Sequence, residues 1–535
     1  MKAAPDTSIF QRLLSPELLL FYVILLAAIL RFAFLDLKLY HHDEVVHAWF
    51  AYELLTKGTY IYDPQFHGPF LFYLTAGIFS LFGDSDLVGR LLPAFLGTAL
   101  IALVYPLYRM GYLDARQMLV AAVLLAFSPE MVYFSRFLRN DIFIAFFTLL
   151  LIVAACAYFR YEKLRYALVA AVAAALGMTS KENMPIVLVI LGSYLLFAIW
   201  TRRLVFPITW RRDLISATIL GAGIIALFYS SFGSHPEIVL QAGQMAISHW
   251  MEMHGVERLG GPWYFYLVFL VLYEVPILIL AALGMIHFIL GGTIIGSIRS
   301  LGESGKSDRM LLSRSGISDE IRAIFCRPDP GITYDPKFEF IRFSIWWMIA
   351  SLVVYAYIGE KVPWLILHQL LPMIFVATFM LDRAKVVIIG LGIIFLFGMT
   401  MHIAFTPADI AEPIVQVQNS EDLRILMKWI DESDRVAIAT DIYWPLPWYY
   451  RGERWEPFTL YGDRPNEGSL ISGNYDLIIT HDRNSFDALP GYEKVTLRHS
   501  YWVTYHEVKG NLVWYYFTRQ VATGGQNFDV FRRVA

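Results

Sequence analysis

The sequence predicts a polytopic all-α membrane protein of about eleven transmembrane helices plus one in-plane helix, followed by a small C-terminal α/β domain. Of its 535 residues, 57% are hydrophobic and only 17% are charged, whereas a soluble protein carries about 25% charged residues. Apolar runs of about 17–25 residues, the length that a helix needs to cross the hydrocarbon, recur before residue 405. After residue 405, short strand-like and helix-like runs alternate with turn residues, which indicates a soluble domain over 406–535.

Twelve apolar segments define the membrane region. They lie near residues 17–35, 67–83, 90–108, 117–133, 141–160, 165–180, 184–200, 214–232, 263–290, 341–358, 363–381 and 385–405. The second segment, HGPFLFYLTAGIFSLFG, is short and holds His67 and Pro69, which suits an in-plane or re-entrant helix. The first segment has no small-residue cleavage site, so we expect it to remain as a helix and not to be a signal peptide.

Lysine and arginine residues predict the orientation, because short cytoplasmic loops carry an excess of both. Basic loops lie near residues 109–116, 160–165, 202–212, 299–342 and 383–385. If segment 67–83 does not cross the membrane, all five basic loops and the basic N-terminus lie on the same side of the membrane. If all twelve segments cross, the N-terminus lies on the side opposite to the basic loops. We therefore expect eleven spans, a cytoplasmic N-terminus and a cytoplasmic loop over 295–341.

The opposite, outer face collects the polar clusters of the predicted membrane domain 1–405. It receives outer loop 36–89 with its in-plane helices, outer loop 230–262 and the C-terminal domain. Ionisable residues at a membrane edge are costly and are usually functional. Their convergence on one face therefore predicts a functional site there.

The first cluster follows the first span and reads LYHHDEVVHAWFAYELL, with His42, Asp43, Glu44 and His47. Two adjacent carboxylates can supply a general base, a metal ligand or both, and the imidazoles could add ligands. The string misses the HExxH zinc motif because Asp43 stands where its first histidine is required, which disfavours a metalloprotease. The alternative interpretation is an interfacial loop whose charges face water.

Two further clusters stand at the outer ends of predicted spans. SPEMVYFSRFLRND contains Arg136, Arg139 and Asp141, which could form a functional cluster or equally an ordinary polar border. Asp141 opens a helix, where a carboxylate also suits the positive N-terminal end of the helix dipole. MTSKENMPI contains Lys181 and Glu182, where the lysine can hold a phosphate or form a salt-bridged turn.

The fourth cluster, YIGEKVPWLILHQLLP, contains Lys361, Trp364 and His368. Trp and Lys are common interfacial anchors, whereas His368 lies deeper in the apolar run. Outer loop 230–262 contains His249 and Glu252, and it could cover a site as a lid or pack against the soluble domain.

These motifs, in this order, resemble those of the GT-C membrane glycosyltransferases, with the protein O-mannosyltransferases and the lipid A aminoarabinose transferase as relatives. The motifs HHDEVVHAWFAYELL, YDPQFHGPF and GEKVPWL are most similar to those of the prokaryotic flippase-activity-associated proteins. The resemblance covers about residues 15–405 and adds little about the C-terminal domain.

The resemblance implies a sugar transferase in the cytoplasmic membrane of a prokaryote, with an exoplasmic C-terminal domain. The donor would be a polyprenyl-phosphate-linked sugar, and a glycan, a lipid or a protein would be the acceptor. Asp43, with Glu44, would act as base or metal ligand, and Asp141 would lie close by. The further expected roles are donor-phosphate binding by Arg139, Lys181 and Lys361, a divalent metal at His42, Asp43 and Asp141, and acceptor or lid contacts from His67, His249, Glu252 and His368.

Two other function classes stay open at this point. A transporter or flippase-associated protein of lipid-linked sugars would usually carry charged sites near the bilayer midplane and internal repeats, whereas the polar residues here lie at one face. A non-catalytic receptor could use the aromatic run YWPLPWYY at residues 443–450 to bind glycan. The net charge of −3 gives no reason to expect nucleic acid as a partner.

Overall fold

The computed structural model describes residues 14–58, 60–201, 203–256, 261–303, 335–379, 381, 383–406, 411–463, 465–522 and 524–534. The N-terminal residues and most of the predicted cytoplasmic loop 295–341 lie outside these ranges. The helices of the membrane region are α1 (Pro16–Phe32), α2 (His42–Lys57), α3 (Phe70–Phe82), α4 (Asp86–Ala102), α5 (Val104–Arg109), α6 (Ala115–Phe127), α7 (Pro129–Ser135), α8 (Asp141–Tyr161), α9 (Leu164–Met178), α10 (Met184–Trp200), α11 (Trp210–Tyr229), α12 (Ile238–Val256), α13 (Phe265–Tyr273), α14 (Val275–Glu303), α15 (Pro336–Tyr357), α16 (Leu367–Ala377) and α17 (Arg383–Phe405).

Each of the twelve predicted apolar segments coincides with one helix or with two consecutive helices, which confirms the predicted helical membrane region. Within the described residues, five helices are long and apolar enough to cross a membrane, and up to seven if two bent pairs each form one span. One bent pair is α6 with α7, at 60°, and the other is α13 with the first part of α14, at 110°. Shorter apolar helices, α3, α9, α10 and Pro363–Ala377, add to them, and the choice between eleven and twelve spans stays a prediction.

The C-terminal domain is built on a six-stranded mixed sheet with strand order β1-β5-β6-β4-β2-β3. Its elements are β1 (Gln416–Asn419), α18 (Asp422–Asp431), β2 (Val436–Ile438), α19 (Leu446–Tyr449), β3 (Phe458–Leu460), α20 (Glu467–Ser472), β4 (Leu477–His481), β5 (Tyr492–Val503), α21 (Tyr505–Val508), α22 (Leu512–Thr518) and β6 (Gly524–Arg533). Strand β2 pairs in parallel with β3 and β4, and the other pairings are antiparallel. The predicted small α/β domain is therefore confirmed.

The sheet domain docks where the loop after α3 enters the first turn of α4. The indole N–H of Trp448 and the hydroxyl of Tyr449 each donate to the carboxylate of Asp86 at 2.9 Å. Arg451 Nε donates to Asp84 Oδ2 at 2.5 Å, and its guanidinium lies 3.9 Å from the ring centroid of Trp448. These contacts fix the C-terminal domain beside the outer loop 36–89, which carries the first acidic cluster.

Candidate active site

Helix α2 carries the two adjacent acids, Asp43 and Glu44, in its first turn. The N-cap residue is His41: its Nδ1 accepts the N–H of Asp43 at 3.1 Å, and its own N–H donates to Glu44 Oε2 at 2.9 Å. This capping box satisfies backbone donors at the helix start. His41 Nε2 also donates to the carbonyl of Val415 at 2.8 Å, so the start of α2 is tied to the segment that leads into the sheet domain.

Glu44 lies in a buried set of interactions around Arg90, which we call the Arg90 network. Arg90 Nε and Nη2 donate to the two oxygens of Glu44 at 2.8 and 2.6 Å, and the N–H of Leu138 donates to Oε1 at 2.8 Å. The other guanidinium N–H groups donate to the carbonyl groups of Leu35, Lys38 and Leu39. Glu44 is 1% exposed. The structure therefore does not support the predicted role of Glu44 as a base or metal ligand, because its acceptor positions are occupied and solvent does not reach it.

Asp43, Arg139, Asp141 and Lys181 form a second group, which we call the Arg139 cluster. Arg139 Nη1 pairs with Asp43 Oδ2, and its Nε lies 3.4 Å from Asp141 Oδ2. Lys181 Nζ donates to Asp141 Oδ1 at 2.8 Å. The side chain of Asp43 is 28% exposed, whereas that of Asp141 is 1% exposed. The structure thus brings together four predicted site residues from three separate segments of the chain.

Trp364 supports the Arg139 cluster from the side. The Arg139 guanidinium lies over the indole, 3.5 Å from its ring centroid, which is a cation–π arrangement that holds the arginine in place. His368, from the following helix α16, places its Nε2 3.9 Å from Asp141 Oδ1 and stacks its ring on Tyr355. The sequence motif EKVPW therefore contributes through its tryptophan, a residue type that is commonly an interfacial anchor.

Two backbone hydrogen bonds join the HGP segment to the SKEN segment. The N–H of Gly68 donates to the carbonyl of Ser180 at 3.1 Å, and the N–H of Phe70 donates to the carbonyl of Thr179 at 2.9 Å. A Cβ at position 68 would overlap the carbonyl group of Thr179, so only glycine permits this approach. The close pairing explains why the glycine stands between His67 and the start of α3.

The pairing places His67 beside Glu182. His67 Nδ1 donates to Glu182 Oε2 at 2.9 Å, and the hydroxyl of Tyr62 donates to Oε1 at 2.8 Å. Glu182 follows Lys181 of the Arg139 cluster directly in the sequence, so this chain of hydrogen bonds borders the cluster. Because Glu182 accepts from Nδ1, the neutral imidazole of His67 keeps the lone pair on Nε2.

The charges of the cluster control the protonation of its neighbours. Burial raises the pKa of Asp43, but the adjacent guanidinium of Arg139 outweighs it and holds that pKa well below its usual range. Burial and the positive charge of Arg139 lower the pKa of His47 to about 3. Burial and the positive charge of Lys181 also lower the pKa of His67. At neutral pH Asp43 is therefore a carboxylate, and His47 is a neutral imidazole.

Several buried polar atoms around the cluster have no hydrogen-bond partner within the described part of the chain. They are Arg139 Nε, Asp141 Oδ2, His47 Nε2, His368 Nε2 and both amide atoms of Asn140. Arg139 Nε and Asp141 Oδ2 lie within ion-pair distance but are not aligned for a hydrogen bond. Buried polar groups in folded proteins are nearly always partnered by protein or water, so this concentration is typical of a site that binds a polar ligand.

Lys361 is not part of the Arg139 cluster. Its Nζ donates to the carbonyl groups of Tyr355 and Ala356 at 2.9 Å and to that of Ile358, so it satisfies the C-terminal carbonyls of α15. A phosphate-binding role for Lys361, as the sequence predicted, is not supported because all three ammonium hydrogens are already donated.

The predicted metal set His42, Asp43 and Asp141 is also not assembled. His42 is exposed on the first turn of α2, and the two aspartates are paired with Arg139 and Lys181. Among the residues that the structure describes, no group of three or more His, Cys, Asp or Glu side chains is placed to hold a metal ion. A divalent ion therefore stays a prediction, and no chemical step is derived through it.

His249 and Glu252, the predicted acceptor or lid residues, lie on α12. They line a cavity of about 600 Å³ together with aromatic residues of the outer loop, including Tyr62, which contacts Glu182. Among the described residues they have no hydrogen bond or ion pair with the Arg139 cluster, and Phe66, which precedes His67 in the sequence, lines the same cavity.

Sequence reasoning missed Arg90 and Tyr62. Arg90 opens an apolar span in GRLLP, and an arginine at such a place looks like a border residue until its carboxylate partner is known. Tyr62 is one of several aromatic residues in the outer loop, and no pattern marks the one that reaches Glu182.

Comparisons with known proteins bear on this arrangement. Residues 66–226 match the family model described as dolichyl-phosphate-mannose-protein mannosyltransferase. The S. cerevisiae protein O-mannosyltransferase Pmt1-Pmt2 complex bound to the sugar donor is 20% identical, with TM-score 0.32, over 43% of this chain and 34% of that chain. The chain thus spans about a third of that relative. No curated protein matches the sequence.

Two further solved structures match over most of the chain. The Archaeoglobus fulgidus oligosaccharyltransferase in the apo form is 12% identical, with TM-score 0.49, over 88% of this chain and 70% of that chain. ArnT from Cupriavidus metallidurans bound to undecaprenyl phosphate is 12% identical, with TM-score 0.55, over 96% of this chain and 98% of that chain. The likeness to ArnT along nearly the whole of both chains shows that this protein has a GT-C-like fold.

Proposed function

We propose that this protein is a membrane glycosyltransferase that transfers a sugar from a polyprenyl-phosphate donor to an acceptor at the outer face of the cytoplasmic membrane of a prokaryote. The observation that carries the proposal is the Arg139 cluster, in which Asp43 and Asp141 share one arginine and Lys181 adds a second cation. The matched family model and the solved complex of ArnT with undecaprenyl phosphate support a lipid-phosphate donor.

The cations bind the donor phosphate in this proposal. Arg139 presents a planar fork that matches phosphate oxygens, and Lys181 supplies a compact charge beside it. Trp364 holds the guanidinium in position before the donor arrives, so little reorganisation is needed when charge develops on the leaving phosphate. The apolar helices on either side accommodate the polyprenyl chain.

Asp43 is the proposed base. The acceptor oxygen forms a bond to the anomeric carbon while the bond from that carbon to the phosphate oxygen breaks. The acceptor proton moves to Asp43, and the bond electrons leave with the lipid phosphate. A donor phosphate that binds Arg139 competes with Asp43 for the guanidinium, so donor binding makes the carboxylate more basic at the moment when it is needed.

A panel of polyprenyl-phosphate sugars, incubated with the purified protein and extracts of acceptor glycan, lipid and protein, tests the proposal. We expect mass spectrometry to find one sugar transferred and the matching lipid phosphate released. A protein that moves labelled lipid-linked sugar across liposomes without consuming it would contradict the proposal and favour transport. Full transfer activity in a folded Asp43→Asn protein would contradict the assignment of the base.

A further inference from the structure

A cavity of about 600 Å³ lies between the outer loop and helix α12. One wall is aromatic and comprises Phe50, Tyr60, Tyr62 and Phe66. The other wall carries Met245, Ser248, His249 and Glu252 from α12, and Asp63 lies at the edge of the outer loop. We call this space the aromatic groove. Its volume is within the range of about 300–1,000 Å³ that is typical of small-molecule sites.

Neighbouring side chains hold the aromatic wall in place. The rings of Phe50 and Phe66 lie 4.5 Å apart between centroids, and Tyr62 packs edge-on against Tyr229 with centroids 4.8 Å apart. The hydroxyl of Ser231 donates to the carbonyl of Tyr60, which ties the outer loop to the end of α11. The rings are therefore held by contacts with neighbouring side chains, with Tyr60 and Tyr62 buried and Phe50 and Phe66 part-exposed.

The charge of the aromatic groove is opposite to that of the Arg139 cluster. Its described lining contains two carboxylates, Asp63 and Glu252, and no lysine or arginine. A phosphate or an acidic ligand would meet uncompensated negative charge there. Hydroxyl and ammonium groups, in contrast, can donate hydrogen bonds to both carboxylates.

The aromatic groove adjoins the catalytic side of the molecule through Tyr62. The Tyr62 hydroxyl donates to Glu182, which holds His67 and directly follows Lys181 in the sequence. Phe66, at the end of the aromatic wall, is the residue before His67. Direct contacts therefore join the groove to the segment that carries Lys181 of the Arg139 cluster.

We propose that the aromatic groove binds the acceptor and that this acceptor is a carbohydrate chain without acidic groups, either neutral or amino-bearing. The inference rests on the proposed function and narrows its acceptor class. Sugar rings present C–H faces that stack on part-exposed aromatic side chains, here Phe50 and Phe66, while their hydroxyl groups donate to carboxylates at the edge. The donor phosphate and the acceptor are then separated by charge, with the phosphate on the cationic side and the hydroxyl groups on the acidic side.

Saturation-transfer difference NMR tests this inference without turnover, in the full-length Asp43→Asn protein. The probes are trisaccharides of glucose, N-acetylglucosamine, glucosamine and galacturonic acid. We expect saturation transfer to the neutral or amino trisaccharides and none to trigalacturonate. Binding of trigalacturonate at a similar affinity, or the absence of transfer to all four probes, would overturn the proposal.

Two variants locate the binding site. Asp63→Asn/Glu252→Gln removes both charges and keeps a side-chain acceptor at position 63, whose carboxylate caps Pro64–Phe66. We expect the dissociation constant of the best probe to rise at least about fivefold, since two hydrogen bonds to charged groups are weakened. Glu237→Gln, an exposed charge just before α12, is the matched control and should leave binding unchanged. Equal affinity in the double variant and the control would contradict the groove as the site.

These experiments distinguish a failure of the transferase proposal from a failure of the acceptor-site proposal. Consumption of lipid-linked sugar by the wild-type protein in water reports on donor chemistry alone. If no donor of the panel is consumed while trisaccharides still bind in the aromatic groove, the transferase proposal is wrong and the carbohydrate site stands. If donor is consumed while no trisaccharide binds, the acceptor class is wrong and the transferase stands.

Discussion

Asp43 and Glu44 are neighbours in the sequence but belong to two regions with opposite properties. Successive residues of an α-helix point about 100° apart, so the first turn of α2 sends one carboxylate to the Arg139 cluster and the other to the Arg90 network. In the Arg90 network every acceptor of the carboxylate is used and solvent is excluded. In the Arg139 cluster the carboxylate is partly exposed and is surrounded by unpartnered polar atoms.

From this difference we expect Glu44 to be structural and Asp43 to be reactive. An ion pair whose donor and acceptor positions are all used joins backbone segments but cannot form a further hydrogen bond to a substrate. A partly solvated pair with spare hydrogen-bonding capacity can exchange its partner for a ligand. The Arg90 network therefore fixes loop 36–89, and we propose the Arg139 cluster as the reactive site.

The largest expected effect is the loss of sugar-transfer activity when Asp43 is replaced. Asp43→Asn should lower sugar transfer by about 10²- to 10⁴-fold, because the amide cannot accept the acceptor's proton. The melting temperature in detergent should fall only modestly, since Asp43 is partly exposed and Arg139 keeps Asp141 as a partner. Steady-state transfer rates with lipid-linked donor measure the effect. Asp36→Asn, an exposed carboxylate of the same loop, is the matched control and should be fully active.

The next effect concerns stability. Glu44→Gln should destabilise the fold by about 3–5 kcal/mol, because it leaves the buried Arg90 guanidinium without its counter-charge. Thermal unfolding in detergent, followed by intrinsic fluorescence, measures the loss. A Glu44→Gln protein that melts like the wild type but is inactive would contradict the structural role of Glu44 and would indicate a catalytic one.

Part of this arrangement could be predicted from the sequence. The apolar segments specify the helices because a span must be continuous and apolar. The positive-inside pattern predicts that the charged ends of several spans lie on one face, and this is how Asp43, Arg139, Asp141 and Lys181 could be grouped from the sequence.

The partner of each charge could not be predicted. Glu44 looked equivalent to Asp43 because the sequence does not show which side of α2 faces Arg90. Lys361 looked like a free cation because the carbonyl groups that it caps belong to the end of α15, a position that no sequence pattern marks. The sequence around Trp364 fits a membrane anchor, whereas in the structure Arg139 lies over its ring. Such pairings depend on tertiary packing.

The Arg90 network also predicts a pH effect through His41. Burial lowers the pKa of His41 to about 4, whereas an unfolded histidine titrates near about 6.5. The unfolded chain therefore binds more protons between these values, so stability is fully present above about pH 6.5 and is lost as the pH falls towards 4. At pH 5 the expected loss from this group is about 2 kcal/mol. Melting temperatures from pH 7.5 to pH 4.5 measure it.

His41→Asn is the test variant for this pH effect. Asparagine is a good N-cap residue and does not titrate, so the variant should lose less stability than the wild type as the pH falls. An unchanged slope of melting temperature against pH would assign the acid sensitivity to other groups, such as His499, whose pKa burial also lowers to about 4.

The smallest expected effect tests how the Arg139 cluster holds its ligand. Arg139→Lys keeps the positive charge but loses the planar fork that spans two carboxylates and the stacking on Trp364. We expect the KM for the donor to rise about tenfold, which corresponds to about 1.4 kcal/mol, with a smaller change in kcat. Arg451→Lys is the matched control, because Arg451 also pairs with an aspartate, Asp84, and stacks on a tryptophan but lies at the contact with the sheet domain. An equal rise in KM for both variants would mean that any arginine stacked on a tryptophan supports the fold in this way, and the special role of Arg139 in binding the donor would then be lost.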